Sequence, residues 1–402
     1  MFRFYNNLKG DKVIWAVVFM LSIFSVLAVY SSTGLLAYVE QGGNTEFYLL
    51  KHTAILLLGW ALIYVSHLIK YTYYSRLSTI ALYTAIPLLL LTMFIGTSVN
   101  DASRWLTIPI INIDFQTSDF AKLALIMFVA RMLSRKQDQI KDFKSAFVPI
   151  MLPILIVCAL IMPANLSTAM ILFATCLTLM FVGRVNMKYI LSLIGIGLLG
   201  IVIIVAILYN SPDQGRVGTW KNRALTFVGI QESSDLTFQA DQAKIAVATG
   251  GIIGKFPGNS TQRNILPQAY SDFIYAIIVE EYGMFGGIFI LLLYLILLFR
   301  GIRIATKCEK TFGALLGLGV SFTLVFQAMI HMAITVGLFP VTGQPLPLVS
   351  MGGTSLWFTS LAIGIMLSIS RTTETEVEMA GPVPAVEGNV PAEQQNTMED
   401  EK

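Results

Sequence analysis

Ten apolar runs divide the chain, near residues 13–33, 48–69, 77–97, 119–134, 146–163, 167–183, 188–209, 271–299, 311–338 and 351–370. A helix needs roughly 20 apolar residues to cross the hydrocarbon of a bilayer. With 55% hydrophobic and only 13% charged residues, no aqueous fold could bury this much apolar surface. The expected fold is therefore an all-α polytopic membrane protein of about ten transmembrane helices. A large extracytoplasmic loop, residues 210–270, separates the seventh from the eighth.

The basic residues orient these spans. Arg3, Lys9 and Lys12 precede the first. Loops on the same side carry Lys70 and Arg76, then Arg131, Arg135, Lys136, Lys141 and Lys144, then Arg184 and Lys188, then Arg300, Arg303, Lys307 and Lys310. The short segments on the other side offer Lys51 and Arg104. Both termini are expected in the cytoplasm. The first run is full length and lacks a cleavage site, so it reads as a span and not as a removable signal. The expected organisation is a membrane domain over 1–371 and a disordered acidic tail over 372–402, where seven Glu and one Asp face one Lys. Cys158, Cys176 and Cys308 suggest neither a disulfide framework nor a metal site.

Loop 210–270 is too long for a simple connector. It holds Arg216, Lys221, Arg223, Lys244, Lys255 and Arg263, with Arg104 in the preceding outer loop. Arg forks onto phosphate oxygens and Lys adds point charge. The target would be an anion on the outer face, such as a lipid pyrophosphate; contact with lipid headgroups is the alternative. No aromatic stacking platform interleaves these charges, which argues against nucleic acid. Within the loop, Asp241 to Val247 reads as a short helix stopped at Gly250-Gly251.

Where the loop meets the eighth run stands Asp272. It could cap the helix, or act as a partly desolvated general base, or both. Glu280 and Glu281 follow, roughly 12–14 Å deeper at helical rise. Acidic groups at that depth are paired or functional. Lys122 in the fourth run has Asp119 at i−3 on the same face. They form either a local pair or part of a polar cavity shared with the eighth helix. From Leu338 to Ser355 three prolines interrupt an apolar segment. Irregular backbone at membrane depth is tolerated only inside protein or beside a wet cavity. The segment is therefore expected to dip into the bundle and wall a site. His331 reads as a hydrogen-bonded packing residue.

These segments together resemble the SEDS family, the FtsW/RodA polymerases of bacterial cell-wall synthesis, over residues 12–371. Pro340 to Ser355 follows the family's P-x-x-G-x-P-L-P-x-x-S-x-G-G-x-S, which carries Pro345, Pro347, Ser350, Gly352 and Gly353. Leu266 to Ile274, then Glu280-Glu281-Tyr282-Gly283, is similar to L-P-E-A-x-T-D-F-I-F … E-E-x-G. Arg104-Trp105, then Gln116 to Lys122, is similar to R-W … Q-P-S-E-x-x-K. Gln239, Gln242, Gly250, Gly251 and Gly254 fall in family register. Asp119 stands for a usual Glu, Thr117 for Pro, and Asn165 and Ser167 for the Asp and Gly of a P-D-x-G-T motif. His331 stands for a usual Asn, and Met351 for a usual Tyr.

The resemblance implies peptidoglycan glycosyltransfer: a growing lipid-linked glycan passes its reducing-end sugar to the 4-hydroxyl of lipid II. Asp272 would be the catalytic base. Arg104, Lys122, Arg216, Arg223, Gln239, Lys244, Lys255, Arg263 and Ser350 would bind substrate, with Arg216, Arg223 and Lys255 on the departing pyrophosphate. Trp105, Asp119, Glu280, Glu281, Pro345, Pro347, Gly352 and Gly353 would shape the cavity. No metal-ligand set is visible, although a divalent cation (Mg or Mn) could assist. The implied partners are a class B penicillin-binding protein transpeptidase and other divisome proteins. The opening Lys9-Gly10-Asp11-Lys12 and the acidic tail favour the FtsW-like, division branch. The competing readings are a flippase for lipid-linked precursors and a non-catalytic scaffold.

Overall fold

The computed structural model describes residues 9–99, 102–108, 113–210 and 234–380, together with Gly218, Lys221 and Arg223. All ten apolar runs are helices: α1 (Lys12–Ser32), α3 (Thr45–Leu68), α4 (Tyr71–Ile95), α5 (Thr117–Arg135), α6 (Val148–Ile161), α7 (Leu166–Val182), α8 (Met187–Asn210), α10 (Ile274–Lys307), α11 (Thr311–Thr335) and α12 (Gly353–Ala380). Between them lie the short α2 (Gly34–Gln41) and, in the outer loop, α9 (Ser234–Gly250). Among the described residues, seven helices are long and apolar enough to cross a membrane. α7 and the described apolar part of α8, Met187–Gly197, are shorter, and α5 carries charge at both ends.

Caps set several boundaries. Asp11 accepts from Val13 N at 2.9 Å and Ile14 N at 3.3 Å to start α1, and Asn44 accepts from Phe47 N at 3.1 Å to start α3. Asn165, where the family pattern has Asp, accepts from Thr168 N at 3.1 Å to start α7. An amide oxygen caps as well as a carboxylate, which accounts for the tolerated loss of charge. Helix α5 sits deepest, buried from Thr117 through Ala130 except at Phe120 and Phe128. Large apolar residues such as Leu50, Phe94 and Phe285 face outward, as expected where lipid is the solvent.

Three expectations need correction. The fold is not purely helical. Thr97–Val99 (β1), Ala102–Ile108 (β2) and Ile113–Gln116 (β3) form an antiparallel sheet in the order β1-β2-β3, with Trp105 opposite Gln116 and Leu106 opposite Phe115. Alternating Arg104, Trp105, Leu106 and Thr107 fit a strand lying across the bundle end. Thr354 Oγ1 ties β3 to α12, accepting from Gln116 N at 3.1 Å and donating to Asp114 O at 3.1 Å. The loop helix runs Ser234–Gly250, well beyond Asp241–Val247. Finally, α12 continues to Ala380, through residues that composition assigned to the tail. Thr372 and Thr373 bond back to Ser368 O and Ile369 O, so a helix already fixed by packing simply propagates. The rest of the expected tail, 381–402, lies outside the described residues.

Helix α10 is broken at Gly283, whose φ of 67° and ψ of −168° are not helical. The outer loop fills the break. Lys255 N donates to Glu280 O at 2.9 Å, and Met284 N to Gly251 O at 2.9 Å. Gly254 and Gly283 touch backbone to backbone, and a Cβ on either would overlap the other's main chain. Both also have positive φ, so each position needs glycine twice over. Freed helix groups are thereby satisfied away from water, as membrane depth demands.

Candidate active site at the mouth of the broken helix

The chain reaches α10 through a compact turn. Gln268 adopts φ 57°, and its carbonyl accepts from both Ser271 N and Asp272 N at 3.0 Å. The helix starts two residues later, at Ile274, and its N-cap, Phe273, makes no side-chain bond. Asp272 is therefore not the cap, and its carboxylate is turned elsewhere. Oδ1 accepts from Ser271 Oγ at 2.8 Å, while Oδ2 faces Gly343, where a Cβ would lie 3.2 Å away. Burial pushes this carboxyl above the usual Asp range; the Ser271 hydroxyl and the charges of Arg104 and Arg223 pull it partly back.

Gly343 belongs to the irregular segment between α11 and α12, which does enter the bundle: Gln344, Leu346, Leu348, Val349 and Ser350 are buried. Polar side chains of surrounding helices hold its backbone. Ser25 donates to Val349 O at 2.9 Å, Gln327 Nε2 to Pro345 O at 2.8 Å, and the Tyr294 hydroxyl to Pro347 O. His331 Nδ1 meets Gln344 O at 2.7 Å, so that nitrogen carries the proton. The Gln344 amide in turn donates to Thr168 Oγ1 at 2.7 Å. Ser350 is a staple: its hydroxyl donates to Ser271 O at 2.6 Å and accepts from Leu346 N at 2.8 Å, and Met351 N donates to Tyr270 O at 2.9 Å. The turn leading to Asp272 and the re-entrant segment thus form one wall. Gly352 and Gly353 open α12 beside it, and a Cβ on Gly353 would meet nothing within 4 Å.

Lys122 Nζ lies 2.7 Å from Asp119 Oδ1 and 3.3 Å from Gln327 Oε1. The pair lines a cavity of about 40 Å³ between α5, α11 and α12. Its partner helices are the ninth and tenth runs, not the eighth as expected, because α5 is central and presents this face to α11. Gln327 links the pair to Pro345, and so to the wall beside Asp272. Asp119 Oδ2 is buried without a partner among the described residues.

The two glutamates of α10 do not join that cavity. Glu280, fully buried, accepts from Lys255 Nζ at 2.6 Å, Thr261 Oγ1 at 2.8 Å, Thr261 N and Gln262 N at 3.2 Å, and Ser260 Oγ. It clamps the outer loop onto the broken helix. Glu281 accepts from Ser31 Oγ, to which Arg263 also donates at 3.3 Å.

The cations separate accordingly. Arg104 and Arg223 act on Asp272, and Arg104 Nε also donates to Ala164 O at 3.1 Å. Lys255 is committed to Glu280, and Arg263 lies against Ser31 and Glu281. Lys244, exposed on α9, pairs loosely with Asp241 at 3.3 Å. Gln239 is half-buried on α9 and Trp105 half-buried on β2. Arg216 lies outside the described residues. The sequence reading did not single out Gln327, although Gln327 and His331 share one face of an otherwise apolar helix, a spacing that marks polar work inside a bundle.

A family model described as "Cell cycle protein", covering FtsW, RodA and SpoVE, matches residues 11–375. The chain belongs to this family. It is 33% identical to the probable peptidoglycan glycosyltransferase FtsW of Geobacter metallireducens, over 92% of this chain and 97% of that one. It is 30% identical to the stage V sporulation protein E of Bacillus subtilis, over 90% and 97%. Among solved structures, a chain of a peptidoglycan synthase complex described as coordinating polymerization and crosslinking superposes with a TM-score of 0.72 at 22% identity, over 90% and 98%. The rod shape determining protein RodA of Thermus thermophilus superposes at 0.64 and 22% identity, over 92% and 99%. The FtsW/RodA fold therefore extends over about nine-tenths of the chain.

Proposed function

We propose that this chain is a peptidoglycan glycosyltransferase that polymerises lipid II at the outer face of the bacterial cytoplasmic membrane, as an FtsW-like enzyme of cell division. All ten helices would span the bilayer, with both termini in the cytoplasm. The observation that carries the reading is the half-buried Asp272 carboxylate, held against Gly343 of the re-entrant wall and within electrostatic reach of Arg104 and Arg223. A base needs a proton affinity raised toward the working pH, an accessible oxygen and a fixed position. Asp272 meets these requirements.

In this mechanism Asp272 Oδ2 takes the proton from the acceptor's 4-hydroxyl. The freed oxygen attacks C1 of the donor sugar, the bond from C1 to the lipid pyrophosphate breaks, and the leaving group departs with its electron pair. Arg104 and Arg223 stabilise the charge that develops there, as preorganised donors do most effectively; Arg216 remains a candidate beside them. Lys255, already neutralised by Glu280, acts by seating the loop. Among the described residues no three His, Cys, Asp or Glu gather as a metal group. If a divalent cation assists, it would supply positive charge to the leaving pyrophosphate, and Asp272 is the described carboxylate that could help to hold it. A penicillin-binding transpeptidase is the proposed partner, supported by the likeness to a chain of a synthase complex.

The test is glycan-strand formation from lipid II by the purified protein with its transpeptidase. Asp272→Asn should abolish it. Undiminished strands would remove Asp272 from the chemistry. No strands from the native chain, together with lipid flipping that survives Asp272→Asn, would favour the flippase reading.

A further inference from the structure

The end of the bundle opposite Asp272 contains a second cavity, of about 380 Å³. Its walls are the start of α1 at Asp11, the last turns of α10 and the α12 segment of Ser370, Thr373 and Glu374, so that two carboxylates face three cations across it. Arg300, Arg303 and Lys307 stand at i, i+3 and i+7 and so share one face of α10. Arg300 is spoken for: its Nε lies 2.6 Å from Asp11 Oδ2, on the carboxylate that caps α1. Arg303 and Lys307 are exposed and have no side-chain partner among the described residues. Ser370 is only 4% exposed, lines the cavity, and its hydroxyl likewise has no partner among the described residues. The Ser370 hydroxyl lines the cavity beside these two cations. Thr373 Oγ1 already donates to Ile369 O at 2.9 Å, so toward the cavity it can only accept.

This donor set suits one kind of ligand. Arg303 and Lys307 supply charge for a phosphate, Ser370 supplies a hydroxyl donor, and Thr373 accepts from a ligand that carries its own hydroxyl. On the same stretch of α10, Phe299 and Ile302 are 63% and 40% exposed, a surface for acyl chains and not for a soluble anion. We propose that this cavity binds the headgroup of an anionic glycerophospholipid, a phosphodiester bearing free hydroxyls, in the leaflet opposite the chemistry. Basic pockets between membrane helices on the cytoplasmic side commonly take such headgroups. The proposal is independent of the role of Asp272.

The full chain, purified in detergent, would be titrated with phosphatidylglycerol or phosphatidylcholine and read by native mass spectrometry. Phosphatidylglycerol should be retained roughly thirtyfold more tightly, given the contribution of two basic side chains near a surface. Arg303→Gln with Lys307→Gln should reduce its retention to that of phosphatidylcholine. Lys141→Gln with Lys144→Gln removes two exposed cations from the loop between α5 and α6 at the same end, and should change nothing. The proposal is overturned by equal retention of the two lipids or by an equal loss in the control pair. It also fails if millimolar inorganic phosphate displaces the lipid, which would make the ligand a soluble anion. Binding seen only after removal of 381–402 would make the acidic tail the occupant and would overturn it too.

Discussion

Asp272, just before α10, and Glu280, inside it, are carboxylates eight residues apart, yet their surroundings differ in kind. Glu280 is saturated: a lysine, two hydroxyls and two backbone amides converge on it within 3.2 Å. Asp272 has one neighbouring hydroxyl at 2.8 Å and two arginines acting through charge. A buried acid whose lone pairs are all used is a structural part, because nothing else can approach it. An acid left with an open oxygen and a raised proton affinity is available for proton transfer. Both are carboxylates; depth and the count of partners separate the roles.

The largest effect should come from removing the open acid. Asp272→Asn is expected to reduce polymerisation of lipid II by ~10²–10⁴-fold, the usual worth of a positioned base. Its stability should move the other way. The folded pKa of Asp272 is raised, so the stability linked to it is present when the group is protonated, and is lost as pH rises through that folded value. A neutral Asn avoids this loss, and thermal unfolding in detergent near neutral pH should show a midpoint equal to or above that of the native chain. A clearly lower midpoint would mean that Asp272 holds the fold, and the contrast with Glu280 would collapse.

Glu280→Ala should do the reverse, destabilising the protein by ~3 kcal/mol because Lys255 and four other donors lose their acceptor. Lys255→Met should be costly as well, since it strands a buried carboxylate. Both would lower activity only as far as the outer loop comes loose. Full stability in Glu280→Ala with activity abolished would move Glu280 from clamp to chemistry.

The helices were legible because a membrane span announces itself in composition, and the re-entrant wall because Pro345 and Pro347 cannot continue a helix in an apolar segment. Asp272 was legible as a lone acid at a boundary, but not its release from capping, which depends on the left-handed turn at Gln268. Pairings between distant segments were not readable: Lys255 with Glu280, Gln327 with Pro345, Ser350 with Ser271. A cation count in the loop treats six side chains alike, whereas folding commits some to carboxylates and leaves Arg104 and Arg223 acting on Asp272. The β-sheet escaped because its strands are short, three, seven and four residues, a weak signal beside the helices.

A finer test of the open acid is its pH profile. With the base required in its ionised form, kcat/KM should rise with pH to a plateau. Arg223→Gln removes a charge that favours the carboxylate, so the acid limb should shift to higher pH. The plateau should fall by roughly tenfold to a hundredfold if the same arginine also stabilises the leaving group. A lowered plateau with an unmoved limb would place Arg223 on the substrate alone.

The smallest effect is expected at Lys244. Its pairing with Asp241 spans 3.3 Å between side chains that are each about half exposed, 52% and 53%. Such a pair contributes ~0.2–1 kcal/mol at most. The aliphatic stem, packed against Gly337 at the start of the re-entrant segment, gives it a separate way to matter. Lys244→Gln keeps most of that stem and discards the charge, whereas Lys244→Ala discards both. Equal, near-native rates in the two variants would leave Lys244 outside the site. A loss in Lys244→Ala alone would assign it a packing role, and a loss in both would add its charge to those of Arg104 and Arg223 around the open acid.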